Sequence, residues 1–217
     1  MKTKTNLIHI FLLLLITGGF INCSPQKGFK YFDEHNNLIS KSKFNRKLKR
    51  LSHFKIPGDS AHHHRLTPRL VQGTVENREM LLEVLEKAIN DTIDRNVPTV
   101  IMYYPGQDTY NINTNSTKEV TANRHQQLAQ YLKDSANTKP IYIYKEYTGL
   151  QKYSGVINWY KDPGQLIEKL FFRHHYPSGS FVVIDKEGTY ISYKGEYALE
   201  QIVDTALVLK NKDSIQP

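Results

Sequence analysis

Residues 176–193 read YPSGSFVVIDKEGTYISY, and this stretch decides the fold. Phe181-Val182-Val183-Ile184-Asp185 is β-branched and aromatic, Lys186-Glu187-Gly188 is a turn, and Tyr190-Ile191-Ser192-Tyr193 resumes an extended pattern. Two short apolar runs around a glycine-ended turn pair as an antiparallel hairpin. A last helix is expected from near Glu196, with Leu199, Ile202, Val203, Ala206 and Leu207 on one face.

Upstream, strand and helix signals alternate. Arg69 to Val75 is short and β-branched-rich, a first strand. Glu76 to Arg95 places Met80, Leu81, Val84, Leu85, Ala88 and Ile89 at helical spacing. Pro98 introduces Thr99 to Tyr104, a continuous apolar run of the kind found in buried central strands. Ser116 or Thr117 can cap a helix that runs to about Ser135, with Glu119 placed for a capping box. Pro140 opens the strand Ile141 to Tyr144, and a loop rich in Tyr, Gly and Lys leads to a helix at about Asp162 to Arg173. The order β-α-β-α-β-α-β-β-α predicts an α/β domain with parallel central strands, because parallel crossovers need helices on the sheet faces.

The chain has 217 residues, of which 39% are hydrophobic and 23% charged, a globular rather than a disordered mixture. A single cysteine excludes an internal disulfide, a CxxC redox pair and a cysteine-based zinc site. No phosphate-binding or dinucleotide glycine motif occurs, so no nucleotide cofactor is expected.

Residues 1–22, MKTKTNLIHIFLLLLITGGFIN, have a lysine-bearing start and an apolar centre too short to span a membrane, the pattern of a signal peptide. Cys23 follows directly. Phe20-Ile21-Asn22-Cys23 loosely resembles the lipobox of bacterial lipoproteins, although Asn22 is not the usual small residue before the cysteine. An ordinary secretory signal with an incidental cysteine is the alternative. Acylation at Cys23 would anchor the chain at about 0.8 kcal/mol per buried methylene. This predicts a palmitate-carrying protein on the cell membrane or outer membrane, with its folded part outside the cytoplasm.

Charge is uneven. Residues 24–69 hold 11 basic and three acidic residues, whereas residues 70–217 hold 16 and 18. Six of the basic residues, Lys41, Lys43, Arg46, Lys47, Lys49 and Arg50, surround Phe44, Leu48 and Leu51, a short amphipathic helix. This helix is either a solvated linker or a polybasic surface resting on anionic headgroups, the latter at about 1 kcal/mol per residue. Nucleic acid is not expected as a partner, since no aromatic-basic recognition motif is present. Tyr31 to Ser40 reads as a small hairpin turning at Asn36-Asn37, and His62-His63-His64 as exposed loop residues rather than a metal site. The chain thus divides into a signal peptide (1–22), a basic tether or extension (23–68), an α/β domain (69–210) and a tail (211–217).

From about residue 69 to 210 the element order resembles the thioredoxin-like fold: a mixed sheet with central parallel strands, a C-terminal antiparallel hairpin, and helices on both faces. The phrase from Tyr176 to Gly188 carries the resemblance, because that family has a cis-proline just before a strand ending in an Asp-x-x-Gly turn; here Pro177 lies four residues before Phe181. The family's redox motif follows the central strand, and the matching stretch here, Tyr104-Pro105-Gly106-Gln107-Asp108-Thr109-Tyr110, has no cysteine. Thiol-disulfide exchange needs a thiolate, so the resemblance implies a redox-inactive member that binds or scaffolds an envelope protein or peptide. It also implies that the 104–110 loop faces the segment before the fourth strand, making Tyr104, Pro105, Asp108, Tyr110, Tyr176, Pro177 and Ser178 the candidate binding residues. The alternative is a non-redox enzyme using His125, His174 or His175 with Asp108 or Asp162, although no nucleophile-elbow or zinc-protease motif supports one.

Overall fold

The computed structural model describes residues 28–109, 111 and 117–212. The signal segment, Cys23, Tyr110 and residues 213–217 lie outside the described residues. The larger of two sheets has six strands: β5 (Leu70–Thr74), β6 (Thr99–Tyr104), β7 (Pro140–Tyr144), β8 (Trp159–Lys161), β9 (Ser180–Ile184) and β10 (Thr189–Tyr193), in the order β5-β10-β9-β6-β7-β8. The smaller sheet holds β1 (Lys30–Phe32), β2 (Leu38–Ile39), β3 (His53–Pro57) and β4 (His63–Pro68), in the order β2-β1-β4-β3. Helix α1 (Lys41–Lys49) belongs to the small sheet; α2 (Arg78–Ile89), α3 (Lys118–Ala136), α4 (Leu166–Phe171) and α5 (Leu199–Lys212) cover the large one.

β6 is buried over its whole length, and alternate residues serve opposite faces. Ile101 and Tyr103 join Leu81, Leu85, Ile167 and Phe172 in one core. Val100 and Met102 join Leu128, Leu132, Ile202 and Ala206 in the other. A helix pair on each face therefore follows from the continuous apolar run, and the α/β class with a mixed sheet is what forms. The expected hairpin is present, with Tyr193 opposite Phe181 and Tyr190 opposite Ile184.

Two features of the sheet correct the expectation of a parallel core opened by residues 69–75. β5 runs antiparallel to β10 at the sheet edge, with Leu70 opposite Tyr193. Its alternating exposed and half-buried residues suit an edge, whereas a central parallel strand needs both faces apolar. The parallel strands are β6, β7 and β8, and β8 arises inside the segment expected to be loop. The helix expected over Glu76 to Arg95 stops at Ile89, where Asn90 adopts a left-handed conformation and caps it. The α3 helix starts at the expected cap: the Thr117 side chain accepts a hydrogen bond from the Val120 N–H.

The stretch expected as a tether or extension is folded from residue 30 onward. The Tyr31–Ser40 hairpin forms, with Asn36 at φ 65° and Asp33 accepting from the His35 and Asn37 amides at 3.0 and 2.8 Å. The basic helix forms as α1, capped by Ser40, with Phe44 buried and Lys47 paired to Glu34. Of the histidine triplet only His62 stays in an exposed turn, as expected. His63 and His64 open β4, where His64 stacks on Phe29 at 4.6 Å and His63 packs on Phe32 at 5.0 Å. The small sheet docks on the large one: Ile56 enters its core, and the Lys194 amide donates to the Arg69 carbonyl at 2.9 Å. Gly195, at φ +73°, has no Cβ and so admits the Phe54 ring beside it.

Candidate functional site

β6 ends at Pro105, and the chain folds back through a reciprocal clasp. The Asp108 amide donates to Asn111 Oδ1 at 2.9 Å, and the Asn111 amide donates to Asp108 Oδ1 at 3.0 Å. The other oxygen, Asp108 Oδ2, accepts from the Ser178 amide at 2.9 Å and lies 3.2 Å from His175 Nε2. One carboxylate thus ties together the 105–109 and 174–180 segments across 70 residues of sequence.

Behind this tie lies a cavity of about 330 Å³ at the carboxyl ends of β6 and β7, between α3, the start of α5 and the 147–159 segment. Its wall is aromatic. Trp159 packs on Tyr104 at 5.8 Å and on Tyr142 at 5.2 Å, and Tyr153 and Tyr197 complete the lining. The Tyr104 hydroxyl donates to the Thr148 carbonyl at 3.0 Å, an approach open because the neighbouring Gly149 has no side chain; a Cβ there would meet that oxygen at 2.5 Å. His125 Nδ1 lies 2.9 Å from the Tyr142 hydroxyl. The Trp159 Nε1–H is buried with no hydrogen-bond partner among the described residues.

Burial sets the electrostatics. Desolvation holds His125 down to about 4, assisted by the nearby Arg124 charge. Desolvation also pushes Tyr104 up to about 12, with the Asp108 charge adding to it, and Tyr197 up to about 12 against the opposing pull of Arg124. At neutral pH the wall therefore offers uncharged phenols, an uncharged imidazole and one unmet indole donor, with Arg124, Lys152 and Glu196 also in the lining. Such a surface buries an apolar or aromatic group and gives an acceptor on it one directional hydrogen bond. A larger hollow, about 700 Å³, lies at the other end of the parallel strands and touches Thr99, Lys139 and Ile141. Ligands of open α/β sheets sit instead outside the carboxyl ends of the strands.

The expected residues fare unequally. Tyr104 and Ser178 line the cavity, Asp108 joins the loops, and Pro105 is buried at the strand end. Tyr110 lies outside the described residues. Tyr176 is only 3% exposed and faces the small sheet, packing on Phe54 at 5.7 Å, so it does not line this cavity. Pro177 is half-buried, and no cis peptide bond occurs among the described residues, so the cis-proline implied by the family resemblance is not formed. Among the residues considered for catalysis, Asp162 caps α4, accepting from the Ile167 and Glu168 amides at 3.0 and 2.9 Å. His174 lies on the opposite face of the sheet. His175 and Asp108 do pair, yet no hydroxyl among the described residues is hydrogen-bonded to His175 to serve as a nucleophile.

Sequence reasoning missed Trp159, Tyr153, Tyr142, Tyr197 and Arg124. The available signal was the pair Trp159-Tyr160, two adjacent strand-forming aromatics, together with Trp159 being the sole tryptophan. Compared with known proteins, the chain matches no family model, no curated protein and no solved structure.

Proposed function

We propose that this protein is a redox-inactive, thioredoxin-like lipoprotein of the cell envelope, anchored through Cys23, that binds an extended segment of a partner protein. One apolar or aromatic side chain of that segment enters the 330 Å³ cavity, and the Trp159 indole donates to an acceptor on it. The observation that carries the reading is this cavity, aromatic-walled and walled in part by the loops that Asp108 ties together. The mixed sheet with its closing hairpin and two-sided helices supports the thioredoxin-like assignment, and the absence of any cysteine after position 23 supports the redox-inactive one.

Because Trp159 is the one tryptophan, its emission reports on the wall it forms. Peptides enriched by phage display on the immobilised chain should shift that emission and bind about tenfold more weakly to Tyr153→Ser, the loss of roughly one good aromatic contact. Enriched peptides that bind tightly without moving the emission would overturn the cavity as the site. Radiolabelled palmitate should enter the wild type but not Cys23→Ala, and an unlabelled wild type would remove the anchor.

A further inference from the structure

The two sheets meet over a second cavity of about 360 Å³, on the opposite face of the large sheet from the aromatic site. Four basic side chains line it: Arg65 from β4, Arg173 and His174 from the segment after α4, and Lys194 just beyond β10. Lys194 is 8% exposed. Its Nζ donates to the Thr67 hydroxyl at 2.9 Å and lies 5.4 Å from the centre of the Tyr176 ring. Among the described residues no carboxylate lies within ion-pairing distance of Lys194, and Arg65 makes no hydrogen bond or ion pair there. Arg173 uses only its Nε, on the Lys169 carbonyl.

The acid in the lining does not neutralise these charges. Glu34 is held through both oxygens by Lys47 Nζ, at 2.5 and 2.6 Å, with His53 at 3.5 Å. The basic groups also sense one another. Burial lowers the basicity of His174, and the charges of Arg65, Lys194 and Arg173 lower it further. Desolvation alone brings Lys194 down to about 8, leaving it predominantly protonated near neutrality. A buried ammonium with one hydroxyl partner is unfavourable unless an anion completes its shell.

Arg and Lys donors converging without an acid form an anion receptor, and guanidinium forks match phosphate oxygens in pairs. The volume exceeds that of a bare phosphate and falls in the range of small-molecule sites. We propose that the cavity between the two sheets binds a phosphate group carried on a small organic body, with Arg65, Arg173 and Lys194 holding the oxyanion. Such a group is presented equally by a soluble phosphate ester and by a phospholipid headgroup.

Inorganic phosphate is the first probe, titrated into the full chain in detergent micelles against chloride at matched ionic strength. Phosphate should raise the unfolding temperature beyond chloride and move the Lys194 ammonium pKa upward, read by heteronuclear NMR. In Lys194→Met and Arg65→Gln the phosphate dissociation constant should weaken about tenfold or more, the loss of one charge-assisted hydrogen bond. Lys194→Met removes a buried charge together with its hydrogen bond to Thr67, and Arg65→Gln, which breaks no side-chain hydrogen bond, keeps the test open if the first variant folds poorly. Equal effects of phosphate and chloride on the wild type, with an unmoved Lys194, would overturn the site; so would unchanged phosphate affinity in both folded variants. Phosphatidylglycerol vesicles added to the phosphate-loaded chain then separate the sources: released phosphate assigns a headgroup, and retained phosphate a soluble ester.

Discussion

Acidification should unfold this protein through His125. The imidazole is held near 4 in the folded chain by burial, with Arg124 adding to the effect, against an ordinary value of 6.5. Between those two values the unfolded chain binds a proton that the folded chain refuses, so stability rises with pH across the window and is lost as pH falls through it. A gap of about 2.5 units corresponds to about 3 kcal/mol at 1.36 kcal/mol per unit, and partial solvent access brings the expectation to about 2 kcal/mol. The assay is urea unfolding of the wild type and His125→Gln at about pH 7 and about pH 4. Glutamine can still hydrogen-bond the Tyr142 hydroxyl but does not titrate. The wild type should lose about 2 kcal/mol more than the variant between the two conditions. Equal losses would refute the argument, because an imidazole free to ionise would add a charge beside Arg124 in weak acid, and the aromatic groups of the wall would no longer be all uncharged.

Asp108→Ala removes the acceptor of the Ser178 and Asn111 amides and should destabilise the chain by about 2 kcal/mol, at about 1–3 kcal/mol per stranded donor. Hydrogen exchange supplies the check, since the Ser178 amide should lose protection while the β9 amides keep theirs. Gly195→Ala forces a side chain onto a φ of +73° and into the Phe54 ring, for a loss of about 2 kcal/mol or more. Chemical denaturation reads that loss, and near-native stability would mean that the two sheets are not packed tightly at this point.

Where local pattern decides, the sequence was legible. β6, β9 and β10 are marked by apolar runs between Pro98, Pro105 and Gly188, and α3 by the Thr117 cap and its helical spacing. What escaped depends on partners distant in the chain. β8 is three residues long and becomes a strand because Trp159 and Lys161 pair with Tyr142 and Tyr144, a register no local signal carries. β5 has strand composition, but its place beside β10 is set by which edge remained open. His63 and His64 look like polar loop residues until Phe29, Tyr31 and Phe32 cover them from a segment some thirty residues earlier. For the site, the meeting of the 104–110 and 174–180 loops was anticipated from the family resemblance. The side to which each residue of 174–178 turns was not, because the periodicity that sorts faces holds only in regular elements.

That irregular segment links the two cavities. His174 and Tyr176 turn toward the basic cavity, whereas His175 and Ser178 are bound to Asp108 beside the aromatic one. Tyr176 is buried against Phe54 and Lys194, so it cannot shift without disturbing the contact between the sheets. Ser178 sits at φ 65°, a conformation that a non-glycine residue holds only when its surroundings enforce it, and the Asp108 carboxylate supplies that hold. The segment is thus pinned on one side of the sheet by the packing of Tyr176 on Phe54 and on the other by the contacts of His175 and Ser178 with Asp108. Loosening either pin acts on a wall of the other cavity, and a variant designed to empty one site must be read for its effect on both.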